Sequence, residues 1–194
     1  MLLAGSRLID APVMGLQTGG ELARTSKAVI DPATLQIVAY EVVGPLLDIH
    51  PSLLRIADVR EFSDIGLIVD SSDEFVSPDD IIKLGQIYKI HFELEGMRVI
   101  DEKKRKLGKI VGYTIETGSF LVEQLNVKRP LLKSLNDTEL LVHRTQITEI
   151  NNDAIVVHSQ AKPAEPVIQT VRSTAYVNPF RKPAGPQAEH DDRH

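Results

Sequence analysis

"LARTSKAVIDPATLQIVAYEV" (22–42) and "LGKIVGYTIETGSFLVEQLNV" (107–127) lie at a constant offset of 85 residues and describe one object twice. Few identities survive between them, but the pattern does. Ile30 falls on Ile115, Asp31 on Glu116, Thr34 on Ser119, Leu35 on Phe120 and Val42 on Val127. In each stretch β-branched and aromatic residues flank a turn, the mark of a β-hairpin. Asp31-Pro32 suits the first turn, because Pro pre-sets the φ of the first central position and Asp favours the position before it. Thr117-Gly118-Ser119 forms the second, with Gly118 the residue expected to supply a positive φ.

Two further blocks extend the repeat. "VREFSDIGLIVDS" (59–71) matches "ITEINNDAIVVHS" (147–159), with Glu61 on Glu149 and Leu67–Val69 on Ile155–Val157. "LAGSRLID" (3–10) matches "LEGMRVID" (94–101) at an offset of 91, placing Gly5 on Gly96 and Asp10 on Asp101. Three blocks in one order predict two copies of a single domain. Short strands at about ten-residue spacing predict a small barrel or sandwich per copy, and closing a sheet would remove its exposed edges. Between the copies, Ser77 as N-cap, Pro78 at the first helical position and Asp79 and Asp80 at the dipole's positive end predict a short helix that Gly85 can end. After it, Tyr88, Ile90, Phe92 and Leu94 alternate with Lys89, His91 and Glu93, the period of a strand.

The repeated unit resembles the PRC-barrel family. The resemblance rests on Gly96, Arg98–Asp101, Leu107–Ile110, Leu121–Val127 and Ile147–Val157 of the second copy, and on the looser first copy, where "LARTS" replaces "LGKI" and "APVMGLQTGGE" replaces the compact turn "EKKRK". It implies an all-β fold of two small PRC-like β-barrels in tandem, over 1–76 and 91–160, with the short helix as a connector over 77–90; separately, the Pro-, Ala- and polar-rich composition of 161–194 predicts a disordered tail. The resemblance also implies interaction rather than catalysis, since the family serves in a photosynthetic reaction-centre subunit and a bacterial ribosome-maturation factor and carries no catalytic residue set. A non-catalytic protein-binding adaptor is therefore the expected function, with a ribosome-maturation or RNA-associated factor as the alternative.

Composition narrows the classes. With 42% hydrophobic residues over 194, packed cores are expected; a net charge of −5 argues against broad nucleic-acid binding. No apolar run approaches the ~18–20 residues of a membrane helix, and "MLLAGSRLID" lacks a basic leader, so a cytoplasmic protein without membrane insertion is expected. There is no cysteine, hence no disulfide or thiolate site. The six histidines are scattered, with His91 and His158 expected within strands, and the carboxylates of "DSSDE" (70–74) lack metal-binding spacing, so no metal, cofactor or catalytic set is expected. Two candidate contact clusters stand out. One is Lys103, Lys104, Arg105 and Lys106 at a turn of the second copy. The other is Tyr176, Phe180 and Arg181 in the tail, an aromatic and basic set suited to docking. A protein partner is expected, RNA or a ribosome is the alternative, and homo-oligomerisation is left open.

Overall fold

The computed structural model describes residues 1–45, 47–129, 139–151 and 153–158, and within it Met1–Ser159 form one compact unit. The tail cluster Tyr176, Phe180 and Arg181 lies outside the described residues. Among the described residues the fold is all-β apart from one α-helix and short 3-10 turns. In chain order the strands are β1 (Leu2–Ala4), β2 (Pro12–Gly15), β3 (Glu21–Asp31), β4 (Gln36–Val43), β5 (Ser52–Arg55), β6 (Glu61–Ser63), β7 (Gly66–Val69) and β8 (Phe75–Val76). Helix α1 (Ile82–Ile90) follows, then β9 (Arg98–Asp101), β10 (Lys106–Glu116), β11 (Leu121–Lys128), β12 (Glu139–His143), β13 (Ile147–Ile150) and β14 (Ala154–Val157).

All fourteen strands belong to one sheet, whose main path runs β13-β14-β9-β10-β11-β4-β3-β2-β7-β6. The order from either end is the same, and the registers agree residue by residue. The hairpin β3–β4 pairs Arg24 with Val43, Thr25 with Val42, Lys27 with Glu41, Ala28 with Tyr40, Val29 with Ala39, Ile30 with Ile37 and Asp31 with Gln36. Adding 85 to every number reproduces the β10–β11 ladder, including both bulges. The 59–71 and 147–159 blocks hold equally well: Glu61 pairs with Ile68 and Phe62 with Leu67, as Glu149 pairs with Val156 and Ile150 with Ile155.

The 3–10 and 94–101 match does not survive. β2 and β9 hold equivalent places, since Val13 pairs in parallel with Leu67 as Val99 does with Ile155. The true counterpart of Gly96 is Asp10: Asp10 N–H donates to Thr25 O as Gly96 N–H does to Ile110 O, at 2.8 Å each, and both have positive φ. "PVMG" (12–15) is thus the counterpart of "RVID" (98–101), Glu21 is that of Lys106, and the turn 102–105 matches the Leu16–Gly20 loop alone. Gly5 has a different reason to be glycine. A Cβ there would sit 2.3 Å from the Tyr113 ring.

The positive φ of each hairpin turn lies at Leu35 (56°) and Phe120 (55°), not at Gly118. The Leu35 N–H bonds back to Asp31 O and the Phe120 N–H to Glu116 O, each at 2.8 Å. Both side chains are buried in the core, and that burial offsets the ~1–2 kcal/mol which a left-handed residue with a Cβ costs. Sequence reading assigns such a position to Gly because it weighs the local backbone alone.

The helix also departs from expectation. Ser77–Asp80 form a separate turn, with the Asp80 carboxylate accepting from the Ser77 N–H at 2.6 Å, and α1 starts only at Ile82. Gly85 lies inside it, where a Cβ would meet the Pro78 carbonyl at 2.4 Å, so it permits close approach rather than ending the helix. In place of the expected strand over 88–94, residues 88–90 form the last helical turn, His91 closes it in the left-handed conformation and 92–94 are irregular. The alternation was real, but Leu84 and Ile87 join Val29, Ala39 and Leu53 in a small apolar cluster that a helix satisfies. His158 follows β14 rather than lying within it.

One hydrophobic core serves both halves. Leu8 and Leu94, Val13 and Val99, Ile37 and Val122, Tyr40 and Leu125, Leu67 and Ile155 are equivalent pairs within a single cluster. The two halves of the sheet meet at Gln36 and Leu121, where Val122 N–H donates to Leu35 O and Ile37 N–H to Phe120 O, both at 2.9 Å. Each bond maps onto the other under the 85-residue shift. The leaders also cross over: β1 pairs with β10, while α1 packs on β3. The expected closure into barrels is absent from the ladders: among the described residues β6 pairs only with β7 and β13 only with β14, so the sheet stays open. The end strands β6 and β13, of three and four residues, themselves present little free edge.

Candidate interaction surface

The basic turn is built from Asp101 outward. Residues alternate along β9, so Val99 and Asp101 point inward while Arg98 and Ile100 face out. Asp101 is 1% exposed, and its carboxylate accepts from the backbone N–H groups of Lys103 and Arg105 at 2.9 and 2.8 Å and from Arg105 Nε at 2.6 Å. Burial pushes its pKa up, but the bonds from Arg105 and Lys103 outweigh that and hold the carboxyl below its ordinary value. The turn closes with Lys104 in the left-handed region at φ 59°, the place taken by Gly19 in the first half.

The four predicted basic residues therefore separate. Arg105 is engaged with Asp101 and shapes the turn. Lys104 and Lys106 line a groove of about 630 Å³ together with Arg98, Ile100, Asn151, Asp153 and Ala154; Lys103 does not line it. Arg98, whose Nε donates to the Asp153 carbonyl at 3.3 Å, is the member that sequence reading missed. It lies eight residues from Lys106, and only the β9–β10 pairing joins them; the outward phase of Arg98 on a period-two strand was the available signal. Beside the turn, His158 Nδ1 lies 2.7 Å from Glu102 Oε1.

Among the described residues no group of three or more histidine or carboxylate side chains is placed to hold a metal, and no helix is long and apolar enough to cross a membrane. Neither the protein-family models nor the curated protein sequences match this chain.

Proposed function

We propose that the chain is a pair of PRC-like β-modules acting as a non-catalytic protein-interaction adaptor. The observation that carries this reading is the repeated ladder about the Gln36–Leu121 junction. Two copies of one small module are held by a shared core at a fixed spacing, so a partner engaging both gains from effective concentration without paying to order a linker. The two modules are alike in backbone and unlike in surface: the turn that carries Lys104 and Lys106 in the second carries Gln17, Thr18 and Gly19 in the first. A duplicated scaffold with diverged faces suits the joining of two different contacts.

A second reading, a ribosome-maturation or RNA-associated factor, is favoured by the cationic groove of Arg98, Lys104 and Lys106. Cross-linking mass spectrometry in cell lysate, with and without nuclease, separates the two. The variant for comparison carries Arg98→Ser, Lys104→Ser and Lys106→Ser and leaves the Asp101–Arg105 clasp intact. Nuclease-resistant cross-links to one protein through both modules support the adaptor. Nuclease-sensitive ribosomal material that the variant loses replaces it with the second reading.

A further inference from the structure

The two modules differ most at β5 and β12. These strands hold the same place, since Leu53 pairs with Glu41 as Leu141 pairs with Asn126. In the first module β8 pairs with the far edge of β5, α1 lays Leu84 and Ile87 nearby, and Leu53 is 0% exposed. In the second, no described strand pairs with the far edge of β12, and Leu141 is 58% exposed. The His143 N–H donates to Gln146 Oε1 at 2.8 Å rather than to β11. Because ladder groups alternate every residue, the N–H and C=O of Leu141 then also point away from β11.

We infer that this edge is a self-association surface to which β12 of a second copy of the chain adds in antiparallel register. Pairing centred on Leu141 places the two Leu141 side chains together, Glu139 opposite the partner's His143, and His143 opposite the partner's Glu139. Residues 139, 141 and 143 share one face and all three are exposed, so a carboxylate meets an imidazole at each end and apolar surface meets apolar surface in the middle. A two-fold contact requires a patch complementary to itself, and this five-residue sequence is one. The groups facing His143 within its own chain are Glu123 Oε2, 3.6 Å from Nε2, and Thr145, whose N–H donates to Nδ1 at 3.3 Å and whose Oγ1 lies 2.9 Å from it; together they hold the ring on that face. Five residues per chain make a contact well below the ~800 Å² per partner of a stable complex, so the dimer is weak, with a midpoint on the order of 100 µM.

Sedimentation equilibrium of the full chain from about 5 to about 500 µM tests this over the range where such a midpoint is readable. A monomer–dimer equilibrium is expected. Leu141→Lys, which sets two ammonium groups opposite each other, raises the midpoint at least ~10-fold, equivalent to about 1.4 kcal/mol. Glu139→Lys weakens association as well, and adding His143→Glu restores it by setting a carboxylate opposite each introduced ammonium. Circular dichroism and urea unfolding at low concentration confirm that each variant folds, as its exposed site predicts. A chain that stays monomeric, whether because another segment or a foreign protein holds the edge, overturns the inference. So does a dimer indifferent to Leu141→Lys, or a double variant no tighter than Glu139→Lys alone.

Discussion

Leu53→Ala and Leu141→Ala make the same chemical change at the same ladder position, and the structure predicts different costs. Leu53 is fully buried among Val29, Ala39, Leu84 and Ile87. Removing its three outer carbons loses transfer free energy and leaves a cavity between β5 and α1, two elements fixed by other contacts and unable to collapse fully. The expected loss is ~3 kcal/mol, within the range of buried leucine truncations. Leu141 is 58% exposed in the single chain, and its truncation should cost about 0.5 kcal/mol or less. Urea unfolding at a few micromolar, below the range of self-association, reads both as midpoint shifts with unchanged slope. By thermal melting the first should fall by ~6–12 °C and the second by ~1–2 °C for a unit of this size. Costs within about 1 kcal/mol of each other would refute the reasoning, because Leu53 would then lack the cover that β8 and α1 are assigned.

Three further predictions test separate features. The Tyr40 hydroxyl is buried without a protein hydrogen-bond partner, and burial pushes its pKa far up, so Tyr40→Phe should stabilise by ~1 kcal/mol; a loss of that size in urea unfolding would mean the hydroxyl is bonded. Gly5→Ala should destabilise by ~1–3 kcal/mol through the Tyr113 ring, and Gly5→Ala combined with Tyr113→Leu should recover part of that loss. Glu116 is held down at about 2 by the Gly118 N–H, then the Ser119 hydroxyl and N–H. A depressed carboxyl stabilises the fold above its unfolded value of 4.5, and this contribution fades as pH falls toward about 2. The stability gap between the wild type and Glu116→Gln should therefore be full at pH 6 and shrink between those limits; a gap independent of pH would remove the turn bonds from the account.

Much of the fold was legible because it follows local periodicity. The 22–42 and 107–127 hairpins and the 59–71 and 147–159 blocks rest on residues alternating between one core and solvent, and a single core imposes the same alternation on both halves. Even the one-sided helix left a trace: Val29 and Ala39 under α1 are Thr114 and Gln124 at the equivalent places in the second module. The "LAGSRLID" match misled for a complementary reason. Identity at five of eight positions carries no information about which ladder bonds the residues make, and Asp10 and Gly96 show that a conformation can be kept while the residue changes.

The sequence by itself determined the strand-rich class, the recurrence of one hairpin pattern and the positive charge of residues 103–106, because these depend on residue type and on periodicity within stretches of about twenty positions. Only the tertiary structure decided the rest. It joined the modules through Gln36 and Leu121, crossed β1 onto β10, brought Arg98 to Lys104 and Lys106, and buried Leu53 while leaving Leu141 exposed. Each of these unites groups far apart along the chain, where pairing energy and burial, rather than local preference, choose the neighbour.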